Sequence, residues 1–300
     1  MLYLFELGHQ PHISLEEIFC VLKEKKYKFD ILENKDKRVF LETKEKLDCK
    51  ELMRVLGGTV KISEFLGLEI KKSIISFLES RKEKNKIVFS ISSEDKNLEK
   101  KIGIEIKKEL KKKGHSVRYV EIKNSASIIH NNILEKGGDF TINKFGVFVT
   151  SAIQDIEAFT DRDFNRPKSD SHSGMLPPKL ARTMLNLASL DYNKKLLDPY
   201  CGSGTVVTEA IDLGFKNIIA SDLSPKAIED TKKNVDWLLE IKEIESKDIN
   251  LDIFENDVQT LSQSIDKNSV DLIVFEPFMG KAMRGRETED MILKQTEELK

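Results

Sequence analysis

Apolar and polar positions alternate over residues 1–66 in a way that predicts the order strand, helix, strand, strand, helix, strand. The segments LYLFEL, KFDILE and RVFLET have the pattern of strands, and the last two flank the polar turn NKDK. Ser14 followed by Glu17 forms the capping-box pattern of a helix N-terminus. A second helix, KELMRVL, is expected to end at Gly57-Gly58 in a left-handed cap. This order of elements is typical of a ferredoxin-like fold.

A similar alternation from residue 69 to residue 150 predicts helix, strand, helix, strand, helix and then two strands. The long helix LEKKIGIEIKKELKKKG has Ile102, Ile106 and Leu110 on one face and lysines on another. We interpret this lysine face as a candidate phosphate-binding surface, and an ordinary solvated helix face is the alternative. The candidate RNA contacts on it are Lys107, Lys108, Lys111 and Lys112.

The polar stretch DRDFNRPKSDSHSG has the composition of a linker. Strands and helices alternate again from Leu176 onward, which predicts a parallel sheet covered by helices on both faces. The predicted organisation is a first domain at 1–68, a second at 69–153, a linker at 154–174 and an α/β domain at 175–300.

Net charge differs between the two parts of the chain. Residues 186–300 contain 14 Lys and Arg against 23 Asp and Glu, a net charge of −9, while residues 1–185 have a net charge of +7. This asymmetry favours phosphate binding by the first part. A compositional preference for lysine is the alternative.

Cysteine and histidine offer little chemistry in this chain. Cys20, Cys49 and Cys201 are too scattered for a disulfide framework or a zinc site, and His9 and His12 have no partner ligands nearby, so no metal is expected. Neither a signal peptide nor an apolar segment long enough to span a membrane is recognisable, so we expect a cytoplasmic protein. The sequence does not indicate an oligomeric state.

The strongest chemical signal is the segment LLDPYCGSGTVVTEA at residues 196–210. An apolar strand ends at Asp198, and two glycines allow a tight turn beside a ligand before a helix begins near Thr205. Asp222 follows at the end of the next strand, where a carboxylate can accept both ribose hydroxyls of a nucleotide-like cofactor.

The glycine turn indicates which cofactor is bound. It has no third glycine, and Asp198 would repel a pyrophosphate but can hold a cationic amino-acid group, which favours S-adenosylmethionine over NAD. Asp257 is placed to accept a hydrogen bond from the adenine amine, and a turn-forming acid is the alternative. The predicted cofactor-binding residues are Asp198, Tyr200, Gly202, Gly204, Thr205, Asp222, Leu223, Asp257 and Val258.

Several motifs resemble those of a known family. DPYCGSGT, SDLSP and the strand that runs into Glu276-Pro277-Phe278 resemble the methyltransferases that act on amines. LGGTVKI, QDIEAFTDRDFNRP and GMLPPKLARTMLNLA are similar to segments of the archaeal-type THUMP-domain tRNA guanosine N2-methyltransferases. The resemblance implies a ferredoxin-like domain and a THUMP domain that bind tRNA, followed by a Rossmann-like class I methyltransferase domain that modifies an exocyclic guanine nitrogen.

The resemblance also implies roles for the loop after the fourth strand of this domain. The Glu276 carboxylate and the Pro277 carbonyl would accept the two N–H bonds of the amine, and Phe278 would stack on the extruded base. A core aromatic is the alternative for Phe278. The family pattern Asp-Pro-Pro-Tyr-Gly reads Glu-Pro-Phe-Met-Gly here, and the family's sheet has further strands, so we expect the catalytic domain to be incomplete at Lys300.

Three cations of the predicted linker, Arg162, Arg166 and Lys168, are candidate RNA phosphate contacts, with solvated spacers as the alternative. Two other functions remain open. One is methylation of a ribosomal RNA or adenine amine with the same cofactor. The other is a catalytically inactive RNA-binding scaffold, which the altered loop would fit.

Overall fold

The computed structural model describes residues 1–81, 86–122, 125–169, 175–277 and 288–298. The chain divides into two compact units, Met1–Ile156 and Glu157–Lys300. We describe each unit by itself.

The first unit is an α+β fold built on one sheet. Its elements are β1 (Leu2–Leu7), α1 (Pro11–Glu24), β2 (Phe29–Lys35), β3 (Arg38–Thr43), α2 (Cys49–Val55), β4 (Thr59–Gly67), α3 (Ile70–Ser80), β5 (Ile87–Ser93), α4 (Lys96–Lys112), β6 (Val117–Val120), α5 (Ser125–His130), α6 (Ile133–Lys136), β7 (Gly137–Asn143) and β8 (Gly146–Ile153). The element order predicted for residues 1–66 is confirmed. The order predicted for 69–150 is also confirmed, except that the one helix expected between β6 and β7 is two short helices, α5 and α6, separated by Asn132 in a left-handed conformation.

The eight strands lie in the order β2-β3-β1-β4-β8-β7-β5-β6. The two predicted domains, 1–68 and 69–153, therefore contribute four strands each to a continuous sheet. They meet where β4 pairs antiparallel with β8, with Lys61 opposite Ile153 and Phe65 opposite Phe148. Their description as separate domains stays a prediction.

Two local predictions about helix ends were wrong. Helix α1 begins at Pro11, whose missing N–H is not needed in the first turn, so Ser14 lies inside the helix and donates to the Gln10 carbonyl at 2.8 Å. Glu17 is buried and accepts the N–H groups of Gly57 and Gly58, both at 2.8 Å. These bonds hold the chain extended after α2, so no left-handed cap forms there.

Helix α4 has the amphipathic arrangement that its sequence predicts. Ile102, Ile106 and Leu110 are buried in the apolar core between the helices and the sheet. Its predicted RNA contacts lie on the outer side, where Lys108, Lys111 and Lys112 are exposed and Lys107 is half-buried.

The second unit is an α/β fold. Its elements are α7 (Ile156–Thr160), a π-helical turn (Asp161–Asn165), α8 (Pro178–Ala188), β9 (Lys195–Asp198), α9 (Thr205–Leu213), β10 (Asn217–Asp222), α10 (Pro225–Ile241), β11 (Asn250–Glu255), β12 (Leu272–Ile273) and α11 (Glu289–Glu298), with 3-10 turns at Ser246–Asp248 and Val258–Gln263. All four strands are parallel, in the order β11-β10-β9-β12. Strands β10 and β11 therefore lie on one side of β9 and β12 lies on the other. In doubly wound folds, ligands bind at such a switch in strand order.

Much of the segment predicted as a linker is packed inside the second unit. Residues 157–165 belong to α7 and the π-helical turn, and Phe159 is buried. Arg162 is also buried and pairs with Glu209, and its guanidinium lies 4.7 Å from the Phe159 ring centroid. A cation typical of a solvated segment is thus neutralised by a buried acid, Glu209, which the local sequence does not reveal.

A buried ionic network crosses the junction of the two halves of the large sheet. Lys61 Nζ lies 2.9 Å from Glu6 and 3.2 Å from Asp139, and Asp139 also accepts hydrogen bonds from Ser90 and Thr150, both at 2.7 Å. Burial alone lowers the pKa of Lys61, but the charges of Asp139 and Glu6 outweigh it and the net pKa is raised. Lys61 is therefore charged and held by its partners.

We predict that Lys61→Met destabilises the protein by roughly 3–5 kcal/mol, because it leaves Asp139 buried without its cation. Chemical denaturation of the intact chain measures this. Lys72→Met is the matched control, since Lys72 pairs with Glu69 on the surface and should change stability by less than about 1 kcal/mol. Equal effects of the two substitutions would contradict the structural role of the network.

Candidate active site

The glycine turn between β9 and α9 has the backbone that its sequence predicts. Gly202 has φ +52° and Gly204 has φ +85°, both in the left-handed region. A Cβ on Gly204 would lie 2.9 Å from Thr231 Cγ2, so this position also needs the missing side chain. Thr231 Oγ1 donates to the Gly202 carbonyl at 2.8 Å, which fixes the turn against α10.

Asp198 ends β9 as a buried carboxylate, with only 1% of its surface exposed. Its hydrogen bond within the described part of the chain comes from the Tyr200 N–H at 3.2 Å, and no cation lies within ion-pair distance there. Burial raises the pKa of Asp198 to about 7; the Tyr200 N–H opposes this rise and the negative charge of Asp222 adds to it. The site therefore contains an acid whose charge the protein leaves uncompensated.

Asp222 ends β10 beside the same turn. One carboxylate oxygen accepts the Gly202 N–H and the other accepts the Ser224 N–H, both at 2.9 Å. Each oxygen retains a second lone pair, so the side chain can still accept hydroxyl hydrogens. The structure thus brings together Asp222 and the glycine turn, which sequence spacing alone had associated.

The end of β11 lies next to Asp222, because the Asn256 N–H donates to the Asp222 carbonyl at 3.0 Å. Asp257 caps the following 3-10 turn by accepting the Gln259 N–H at 2.9 Å, so the turn-forming role does exist. Its other oxygen has no hydrogen bond among the described residues. Leu223 and Val258, the apolar residues after each acid, are 67% and 37% exposed.

The loop after β12 reaches the same edge of the sheet. Val274 N–H donates to the Leu197 carbonyl at 3.0 Å, and Phe275 stacks on Tyr200 with ring centroids 5.4 Å apart. Glu276 and Pro277 follow and are exposed. Phe278 lies outside the described residues.

Sequence reasoning missed the residues of α10 that support the turn. Asn234 Nδ2 donates to the Ser203 carbonyl at 2.7 Å and to the Lys168 carbonyl at 2.9 Å, while its oxygen accepts the Lys168 N–H at 2.9 Å. Thr231 and Asn234 are polar residues three apart on the buried face of the helix. A polar pair at core positions was the available signal, since buried polar groups need partners.

The predicted RNA contacts near residue 165 have different surroundings. Arg162 is buried and paired with Glu209 and Asp212, so the structure gives it a structural role in place of the predicted phosphate contact. Arg166 is also buried, and its Nη1 donates to Thr205 Oγ1 at 2.7 Å, beside the glycine turn. Lys168 is half-buried, and its backbone is held by Asn234.

Neither a metal site nor a membrane-spanning helix is found in the described ranges. There is no group of three or more His, Cys, Asp or Glu that could hold a metal ion. None of the helices in those ranges combines the length and the apolar character needed to cross a bilayer.

A parallel sheet with this strand order, an acid before a glycine turn and a second acid at the next strand end are the features of a Rossmann-like α/β domain. Residues 166–298 match the family described as UPF0020, RMKL-like, methyltransferase domain. The match agrees with the methyltransferase domain that the sequence resemblance implied for this part of the chain.

Two curated relatives, both named tRNA (guanine(10)-N2)-dimethyltransferase, are similar to parts of the chain. That of Methanothermobacter thermautotrophicus is 31% identical over 85 residues, which is 27% of this chain and 25% of the relative. That of Methanocaldococcus jannaschii is 30% identical over 142 residues, which is 44% of this chain and 38% of the relative. The matches thus span well under half of either relative.

The crystal structure of TrmN from Thermus thermophilus resembles most of the chain in fold. The TM-score is 0.50 at 16% identity, over 92% of this chain and 79% of that chain. A likeness at this identity shows the shared architecture alone.

We predict that Asp198→Asn stabilises the protein at high pH. The pKa of Asp198 is about 7 in the folded state against an ordinary 3.8, so its contribution to stability is fully present below 3.8 and is lost as the pH rises through about 7. Asn cannot ionise but can still accept the Tyr200 N–H. At ~1.4 kcal/mol for each pH unit between the two pKa values, the gain above pH 7 is up to about 4 kcal/mol.

Denaturation of both proteins across this pH range measures the difference. It should vanish toward acidic pH. A difference that is the same at every pH would show that the Asp198 carboxylate is not destabilised by burial.

Proposed function

We propose that this chain is an S-adenosylmethionine-dependent tRNA methyltransferase that modifies the exocyclic N2 amine of a guanosine. The observation that carries the proposal is the buried, uncompensated carboxylate of Asp198. Asp222, at the end of the neighbouring strand, accepts the Gly202 N–H of the glycine turn that follows Asp198. A cofactor that combines a cationic amino-acid group with a ribose fits both acids.

The described residues fit S-adenosylmethionine better than a dinucleotide. A pyrophosphate beside Asp198 would be repelled by the negative charge of its carboxylate. The ammonium of an amino-acid group would instead offset the cost of burying that carboxylate. Asp222 would accept the ribose hydroxyls, and the free oxygen of Asp257 would accept the adenine amine between Leu223 and Val258. When bound, the cofactor supplies an electrophilic methyl group.

The acceptor amine would be held by the loop after β12. A guanine amino nitrogen is a weak nucleophile because its lone pair is delocalised into the ring. The Glu276 carboxylate and the Pro277 carbonyl would accept its two N–H bonds, turn the lone pair toward the methyl group and stabilise the developing positive charge. Phe278 would receive the base that leaves its stack. The stacked pair of Tyr200 and Phe275 would fix this loop relative to the glycine turn.

Two features support tRNA as the substrate. The two curated relatives act on guanine 10 of tRNA by name, which makes this nucleotide the first to test. Residues 1–185 have a net charge of +7, and the exposed lysines of α4, Lys108, Lys111 and Lys112, offer phosphate contacts there together with Lys107. The cytoplasm stays the expected compartment.

The proposal predicts N2-methylguanosine in unmodified tRNA that is incubated with the intact chain and methyl-labelled S-adenosylmethionine, as read by nucleoside mass spectrometry. Glu276→Gln should lower the turnover number by about 10²–10³-fold, because a neutral amide replaces a preorganised anionic acceptor. Cofactor affinity should stay within about twofold, since Glu276 is assigned to the acceptor and not to the cofactor. Glu245→Gln, which removes an exposed acid elsewhere in the unit, should change neither value.

Other results would select a different function. Labelled adenine, or transfer to ribosomal RNA alone, would indicate another RNA amino methyltransferase. Cofactor binding without any transfer would favour the inactive scaffold, in line with the altered Glu-Pro-Phe-Met-Gly loop. A wild-type rate for Glu276→Gln would remove the catalytic role of Glu276.

A further inference from the structure

Arg166 is a buried cation whose hydrogen bonding is incomplete. Only 5% of it is exposed; Nη1 donates to Thr205 Oγ1 at 2.7 Å and Nη2 lies 2.8 Å from Met175 Sδ. Its Nε is buried and has no hydrogen-bond partner among the described residues. A buried guanidinium donor without an acceptor is unfavourable, so its retention needs a physical reason.

Glu209, an acid whose charge acts on Arg166, already binds two other cations. One oxygen of Glu209 accepts a hydrogen bond from Arg162 and the other accepts one, at 2.7 Å, from Arg182. Within the described ranges no carboxylate lies within 4.0 Å of Arg166. Burial lowers the pKa of Arg166, and the more distant charges of Asp163 and Glu209 only oppose this effect. Arg162 and Arg182 thus have ion-pair partners, whereas Arg166 has none among the residues that the structure describes.

Arg166 is directed at the start of helix α9. Its partner Thr205 is the first residue of this helix and follows Gly204 of the glycine turn, called the cofactor turn below. The first N–H groups of a helix lack intrahelical acceptors, and the helix dipole favours an anion at this end. The turn therefore has a buried anion, Asp198, at its beginning and a buried cation at its end. The two charges match the ammonium and the carboxylate of an amino acid.

We propose that Arg166, together with Thr205, binds the carboxylate of the amino-acid part of S-adenosylmethionine. The inference rests on the proposed function and gives Arg166 a ligand other than the RNA phosphate predicted from sequence. A guanidinium this deeply buried, bonded to the cofactor turn itself, fits a small carboxylate better than the backbone of a folded RNA. Cofactor recognition would then include a residue of the segment that precedes the α/β elements.

The test compares two ligands, S-adenosylmethionine and its decarboxylated form, by titration calorimetry on the intact chain. The wild-type protein should bind the decarboxylated ligand about 10- to 100-fold more weakly, the usual worth of one charge-assisted contact. Arg166→Gln should weaken S-adenosylmethionine binding by a similar factor and change the affinity for the decarboxylated ligand by less than about twofold. The preference for the carboxylate should therefore disappear.

Three further measurements make the result specific. Lys233→Gln removes an exposed cation of α10 and should keep the wild-type preference, which controls for long-range charge. Arg166→Lys should restore part of the preference, because it keeps the positive charge. If Arg166→Gln does not fold, Thr205→Val replaces it; loss of the hydroxyl that Arg166 contacts should reduce the preference in the same direction.

Several results would overturn the inference. If Arg166→Gln weakens both ligands equally, Arg166 only supports the turn. If it weakens tRNA binding and leaves S-adenosylmethionine binding unchanged, the phosphate contact predicted from sequence is correct. A wild-type protein that binds both ligands equally well rejects the carboxylate contact and leaves the proposed function standing, whereas one that binds neither rejects the proposed function itself.

Discussion

Asp198 lies at the end of a central parallel strand with only 1% of its surface exposed, and among the described residues it accepts one backbone N–H and has no cation as partner. Such an arrangement is unfavourable for the free protein, since it raises the pKa of the carboxyl to about 7. It becomes favourable when a ligand brings a positive charge. In the proposed function the neighbouring loops depend on this position, because a cofactor with a cationic amino-acid group would offset its charge.

The rest of the second unit keeps that loop in place. Thr231 and Asn234 hold the glycine turn from helix α10, and Asn234 joins the turn to the backbone of Lys168. Arg162 anchors the preceding segment through the buried acid Glu209 of α9. Hydrogen bonds and an ion pair within the unit therefore support the glycine turn from helix α10 and from the segment that contains Arg162. Preorganisation of this kind keeps a binding site in its productive geometry.

Sequence patterns predicted the order of strands and helices because each element buries an apolar face with its own period, as Ile102, Ile106 and Leu110 do in α4. They also associated Asp198, the glycines and Asp222, since strand ends of a parallel sheet meet at one edge. They did not predict the surroundings of Arg162 and Arg166. Both look like solvated linker cations, and only tertiary contacts with distant residues such as Glu209 and Thr205 make them part of a core. The predictions of helix ends were wrong for a similar reason, because Glu17 binds backbone groups far along the chain.

Hydrogen–deuterium exchange of the intact chain, with and without saturating S-adenosylmethionine, tests the central claim most directly. The account predicts slower exchange on cofactor addition in residues 198–205, 220–224 and 256–259, because the ligand would contact these three strand ends together. It also predicts no change at the exposed end of α10, and loss of the protection in Asp222→Ala. Unchanged exchange in the glycine turn at saturating cofactor, or protection confined to other parts of the chain, would contradict it.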